Sequence, residues 1–241
     1  MRKVLSLILV MLMTLSLIPG AFAEFEPVEG TPYGIPLFET VDDVDLMAVA
    51  YGHTYRRLLD LVDNIEIKND MKQNAQGQSI HMLIDDFYFL DDGQYVQYSE
   101  QTDKNYNAMS YQLFLFDKDD PYYYSKHMGG RDKFDVPPEY IDGMLDSSIC
   151  PCAPDVFDMK IVSAEVVDGL YVIKYEAAMK PAPDGSTPGN YSFTNCSLTI
   201  DPETSLIRGY TFDVSGDFGE QSNSVEVNYN VDKQPDYSIK Y

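Results

Sequence analysis

The chain has 241 residues, enough for a single domain with a sizeable core. Its 39 acidic and 17 basic side chains give a formal charge of −22, a surface that repels nucleic acid and anionic lipid head groups at long range. Three cysteines, three histidines, no tryptophan, 19 tyrosines and 12 phenylalanines offer little for metal chemistry and much for half-wet sheet faces.

Residues 1–23 read as a secretory signal peptide. Arg2 and Lys3 are its positive start, Val4 to Ile18 its apolar run, and Ala21-Phe22-Ala23 a small-x-small cleavage signature. No second apolar stretch follows, so the protein is expected not to span a membrane after cleavage following Ala23. The lipobox cysteine of a bacterial lipoprotein is also missing. The expected localisation is therefore secreted or extracytoplasmic, in a bacterial setting.

Residues 24–40, with Pro27, Pro32, Pro36, Gly30 and Gly34, read as an extended N-terminal arm. Thr40-Val-Asp-Asp then resembles a capping box. Val44, Met47, Tyr51, Tyr55, Leu58 and Val62 follow at spacings of three and four, predicting an amphipathic helix over about 41–62.

The rest predicts antiparallel sheet. Ile65 to Gln73 and Ser79 to Leu90 flank a polar turn, and Asp92-Gly93 is a hairpin signal leading to Tyr95–Glu100. Tyr111–Phe116 and Tyr122–Lys126 flank Asp117-Lys-Asp-Asp-Pro121, and Pro138–Leu145 predicts a short helix. Met159–Val167 and Leu170–Met179 form the clearest hairpin, through Asp168-Gly169. Tyr191–Ile200 and Leu206–Val214 are joined by Asp201-Pro-Glu-Thr-Ser, and in the second strand Leu206, Tyr210, Phe212 and Val214 share a face. Val225, Val227, Tyr229 and Val231 alternate with polar residues, so one sheet face is buried and the other wet. Residues 41–233 are thus expected to form one α+β domain of seven to ten strands, with 234–241 a flexible C-terminal tail.

Few constellations carry chemistry. The acidic pairs Asp85-Asp86 and Asp91-Asp92 fall at or beside turns and lack the alternating ladder of a calcium loop. His53, His81 and His127 are scattered and no nucleophile elbow is present. No catalytic residue, metal ligand or cofactor is predicted. Cys150 and Cys152 are near neighbours whose mutual bridge is strained, so Cys196 is expected to pair with Cys150 or Cys152 if a disulfide forms.

The helix Val44–Val62 followed by Ile65–Gln73, the Asp92-Gly93 hairpin, and Leu198-Thr-Ile-Asp-Pro-Glu-Thr-Ser-Leu-Ile-Arg-Gly-Tyr-Thr-Phe-Asp together resemble the LolA/LppX/RseB-type superfamily of half-barrel lipid and lipoprotein carriers. The resemblance implies a strongly curved, mostly antiparallel sheet with the amphipathic helix packed on its concave face and an apolar cavity between them. On that reading Tyr51, Tyr55 and Leu58 form one wall of a ligand site and Phe89, Tyr111, Phe114 and Phe212 the other. The expected function is non-catalytic binding of an apolar or amphiphilic ligand such as a lipid. An alternative is an acidic extracellular interaction module for a protein or cationic wall polymer, and a third is an unassigned extracellular hydrolase.

Overall fold

Alternation of apolar and polar residues lets a strand bury one face, and strands dominate the described part of this chain. The computed structural model describes residues 26–75, 77–91, 94–103, 108–116, 122–127, 130–135, 143, 145–150, 157–181, 191–216, 219–232 and 235. The predicted signal peptide, the predicted Asp92-Gly93 turn, Asp117–Pro121, most of the Pro138–Leu145 segment and nearly all of the predicted tail lie outside those residues.

The described strands are β1 (Asn64–Ala75), β2 (Gln78–Asp91), β3 (Gln94–Asp103), β4 (Ala108–Phe116), β5 (Tyr122–His127) and β6 (Gly130–Asp135) in the first half. The second half contains β7 (Phe157–Val167), β8 (Leu170–Met179), β9 (Ser192–Ile200), β10 (Ile207–Gly216) and β11 (Gly219–Tyr229). All join one antiparallel sheet in the order β6-β5-β4-β3-β2-β1-β11-β10-β9-β8-β7. Eleven strands exceed the expected seven to ten; β6 carries only Phe134 as a large apolar residue, so it has no period to read.

Each half is a meander, and the first and last strands meet in the middle. β1 pairs with β11 from Ile65 opposite Tyr229 to Asn74 opposite Glu220. At the end of this seam Asn64 acts as a clasp. Its Nδ2 donates to the Val231 carbonyl at 3.0 Å and its Oδ1 accepts from the Val231 N–H at 2.8 Å. Asn230 reciprocates, its Oδ1 accepting from the Asp63 N–H at 2.8 Å.

Local turn chemistry follows the sequence closely. Asp168 and Gly169, between β7 and β8, both have positive φ (52° and 82°), as a two-residue type I′ hairpin demands. In the β9–β10 loop the Asp201 carboxylate accepts from the Glu203 N–H and binds Arg208, while Ser205 takes a φ of 58°. A bulge between Ile207 and Gly209 then puts Ile207 opposite Ile200 and Tyr210 opposite Leu198, so both face the core. Gly209 is required there: a Cβ would meet the Val225 carbonyl oxygen at 2.5 Å.

The predicted long helix is broken. Val41–Asp43 is one 3₁₀ turn, followed by α1 (Leu46–Gly52) and α2 (Tyr55–Leu59). The Thr40 N–H and hydroxyl both bind Asp43 Oδ2, so the capping residues are engaged but serve a single turn. Asp45 starts α1 by accepting from the Met47 N–H at 2.9 Å, which turns Leu46 and Val49 inward and leaves Met47 45% exposed. Between the helices the chain pairs sideways: the His53 carbonyl accepts from Ile149 N–H at 2.9 Å and Tyr55 N–H donates to Ser147 at 3.2 Å. Those bonds take backbone groups that a continuous helix needs.

Residues 26–40 lie against the body rather than apart from it. Ile35 and Phe38 are core residues, and the carbonyls of Pro36, Phe38 and Glu39 accept from Ser205 and Tyr171 hydroxyls. The main core joins these to Leu46, Val49, Leu58 and Val62 of the helical segment and to Ile65, Tyr88, Ile173, Leu198, Ile207 and Val227 of the sheet.

The clasp is testable. Asn64→Ala strips two hydrogen bonds from the Val231 backbone and is expected to lower unfolding free energy by about 1–3 kcal/mol. Urea denaturation checks this, with the midpoint falling and the slope unchanged.

Candidate binding face of the sheet

Residues directly opposite in a ladder point to the same side, so the registers assign every strand residue to a face. Ile65, Ile67, Asn69, Met71 and Gln73 of β1 share a face with Tyr88, Asp86, Ile84, Met82 and Ile80 of β2 and with Tyr229, Val227, Val225, Asn223 and Gln221 of β11. The core members on this list show that it is the side on which the helices pack.

His53 fixes the helices to it. The side chain is fully buried, its Nδ1 lying 2.6 Å from the Val49 carbonyl and its Nε2 accepting from the Ile207 N–H at 3.2 Å. A carbonyl can only accept and an amide N–H can only donate, so the ring is neutral with the proton on Nδ1. Burial outweighs the carbonyl contacts and holds its pKa down to about 4.

Next to the helices lies a cluster of phenols around one acid. Tyr55 of α2 stacks on Tyr88 with ring centroids 4.2 Å apart, and the two hydroxyls are hydrogen-bonded. Gln97, opposite Tyr88 on β3, donates to the Tyr88 hydroxyl at 2.9 Å. Desolvation pushes the phenols of Tyr55, Tyr88, Tyr210 and Tyr229 further above their usual range, and the charge of Asp86 adds to this at the first three. Asp86 itself is pushed up to about 6 by desolvation and by Asp85, against a hydrogen bond from Ser99. The phenols therefore stay protonated at neutral pH and act as hydrogen-bonding groups.

Further along the strands the same face changes character. Met71, Met82 and Ile84 form a second, smaller core with Ile80 against it. Buried amides surround it: Gln73 and Asn223 beside Met71, and Gln101 opposite Ile84. Asn69 Nδ2 and Gln221 Nε2 both donate to Asn223 Oδ1, at 3.2 and 2.9 Å. Asn69 Oδ1, Gln73 Oε1 and Asn223 Nδ2 are buried without a hydrogen-bond partner. A small depression lined by Gln73, Tyr191, Val214, Glu220 and Gln221 opens beside Gln73.

The residues predicted to line a ligand site separate. Tyr55, Leu58 and Phe212 belong to the helix-side core, with Phe212 against Tyr210, and Tyr51 lies half-buried on α1. Phe89 is buried on the opposite side, because it pairs with Asn64 and Val96 while its neighbour Tyr88 faces the helices. Register puts Phe114 on the helix side, opposite Gln97, and Tyr111 on the other, opposite Glu100; their side chains lie outside the described residues. Reading by sequence missed Asp86, Tyr88, Tyr210 and the amides. Phe87-Tyr88-Phe89 is an unbroken aromatic triplet, so its phase comes only from the partner strand.

The expected disulfide of Cys196 is corrected: Cys196 is a free, buried thiol, raised to about 11 chiefly by burial, whereas Cys150 is disulfide-bonded. Cys196 faces the core opposite Tyr175 in mid-sheet, with its thiol directed at the Thr194 carbonyl. Among the described residues no group of three His, Cys, Asp or Glu side chains could hold a metal ion, and no helix is long and apolar enough to cross a membrane.

No protein-family model and no curated protein matches the chain. Solved structures do. A DUF1329 family protein from Desulfovibrio piger is 13% identical, with 74% of this chain and 90% of that chain covered and a TM-score of 0.32. A Vibrio parahaemolyticus domain assigned to outer membrane lipoprotein sorting is 8% identical, with 71% and 87% covered and a TM-score of 0.30. The Mycobacterium tuberculosis lipoprotein LppX is 9% identical, with 72% and 89% covered and a TM-score of 0.38. LppX is one of the proteins that the sequence resemblance names. At TM-scores below 0.5 the likeness carries no argument about ligand or activity.

His53 and Asp86 pull stability in opposite directions with pH. A histidine depressed to about 4 from 6.5 contributes stability that is complete above 6.5 and lost as pH falls towards 4. An acid raised to about 6 from 3.8 contributes stability present below 3.8 and lost as pH rises through 6. Asp86→Asn removes the second effect, so its stability relative to wild type should rise by about 2 kcal/mol from pH 4 to pH 7, after allowance for the surface contact Asp86 retains. Melting curves of both proteins across that range check it, and a gap that does not change with pH refutes the assignment.

Proposed function

We propose that this protein is a secreted, non-catalytic binding protein for an apolar or amphiphilic ligand, held on the concave, helix-side face of a curved sheet. The observation that carries the reading is the extent of that face. The helices and residues 26–40 bury into its apolar end. Beyond them it continues into a separate patch of Met71, Met82 and Ile84 bordered by carboxamides, where some polar atoms have no partner. A self-sufficient core does not need buried unpaired amides, which cost about 1–3 kcal/mol each. Met71, Met82 and Ile84 are already buried, so an amphiphile that displaced what covers them would supply the missing hydrogen bonds. Tyr55, Leu58 and Phe212 belong to the apolar end in this reading, and Tyr51 and Phe114 flank it.

Export by the 1–23 signal peptide and a lipid partner belong to the same proposal. A second reading, binding of a basic protein or a cationic wall polymer, is favoured by the net charge of −22. Ionic strength separates them: attraction through the acidic surface should weaken steeply between low and physiological salt, and lipid binding should hardly change.

Native mass spectrometry of the mature protein from its secreting host, followed by solvent extraction, tests the first reading. The expected result is a co-purifying apolar molecule of a few hundred daltons. A clean apo mass that stays unshifted after incubation with lipids would remove it.

A further inference from the structure

We propose that β7 is a self-complementary edge through which two copies of this chain join into one continuous sheet, antiparallel about a two-fold axis. β7 ends the sheet, and among the described strands none pairs with its outer side. Four of the nine large apolar side chains that are exposed among the described residues lie on it. Ile161, Val162, Val166 and Val167 are between 41% and 60% exposed, although the 3₁₀ turn Val41–Asp43 approaches the strand. An open edge of this kind takes a further strand through its free backbone groups.

The bulge selects which strand. Pairing with β8 puts Met159 and Ile161 on the helix side with Ala177 and Tyr175, and puts Ala164 and Val166 there with Ile173 and Tyr171. Val162 is the extra residue between them, so side-chain phase shifts by one across it. A regular strand follows β7 only by skipping a residue in its ladder, as β8 does. A second β7 run antiparallel carries the same shift at the same place. The two then stay in phase with every residue paired.

Charge fixes the register. With the axis between Val162 and Ser163, Lys160 of each copy faces Glu165 of the other on the wet side. On the helix side Ile161 then faces Ala164 and Met159 faces Val166. Sliding by two residues one way sets Asp158 against Glu165, and sliding the other way sets Lys160 against Val167. Glu165 already accepts from Lys174 Nζ at 3.0 Å, and both side chains are half exposed, which leaves its second oxygen to the lysine across the axis. The whole chain, at −22, repels its own copies, whereas residues 157–180 hold three lysines against four acids. This hairpin is where two copies approach at little electrostatic cost.

Sedimentation velocity of the full mature protein, from low to high micromolar concentration, is expected to show a monomer–dimer equilibrium. Lys160→Glu and Glu165→Lys each set like charges opposite one another twice per dimer, and each alone should weaken dimerisation about tenfold. Mixed one to one, the two variants restore both opposite-charge pairs. With a fluorescent label on one of them, a heterodimer should sediment at the wild-type concentration dependence. A wild type that stays monomeric throughout, variants that dimerise as wild type does, or a mixture without heterodimer overturns the proposal. Hydrogen exchange of the wild type decides the edge without any variant. Amides of 157–167 should gain protection as concentration rises, and those of β6 at the other edge should not. Protection at 157–167 that is already complete in the dilute monomer shows the edge covered by the chain itself and overturns the proposal as well.

Discussion

The pairing of β1 with β11 is the constraint on which the rest of this molecule depends. Everything else in the sheet is local: each strand pairs with its neighbour in sequence, within two meanders. Among the described strand pairings only this seam joins the two meanders, closing a loop of 167 residues at its clasp, and that closure entropy must be met by contacts made there. They are supplied from both sides of the sheet. Ile65, Ile67, Val225 and Val227 bury against the helices, while Asn64 and Asn230 close the end with backbone bonds. A binding face that spans β1, β2 and β11 exists only because the seam is made.

The second organising element is a polar side chain in an apolar place. His53 sits where a helix would otherwise run through, and it ties the end of α1 to the start of β10. A neutral imidazole can accept and donate at once, which lets one side chain satisfy Ile207 N–H and Val49 C=O inside the core. The loss of helix continuity at residues 53 and 54 is offset by bonds to Ser147 and Ile149 and by the Thr54 cap on α2.

One face of one sheet therefore carries two environments. Near the helices it is packed with aliphatic and aromatic side chains, among them Tyr88, whose hydroxyl accepts from Gln97, while Gln97 Oε1 and the Tyr229 hydroxyl are left without a partner. Beyond Asn69 it is lined by methionines and carboxamides, adaptable side chains that leave some polar capacity open. The edge strands contrast with this: β7 exposes Ile161, Val162, Val166 and Val167, and a bulge between Ile161 and Ser163 breaks its regularity, as edges commonly require.

By itself the sequence determined what depends on neighbours along the chain. The Asp168-Gly169 turn, the Asp201 loop and the alternation of β11 follow from turn chemistry and period two, and all stand in the structure. The apolar stripe of 44–62 was equally legible as a tendency, yet Asp45 and Thr54 are good caps that only tertiary partners could set against helix continuation. The bulge at Ile207–Gly209, the phase of Phe87-Tyr88-Phe89 and the burial of Gln73 and Asn223 were decided by strands far away in sequence. Polar residues alternating in a strand read as a wet face, and nothing local distinguishes an amide turned to water from one turned inward. Register supplies that distinction, because which side of a strand is inside is a property of its partners and not of the strand.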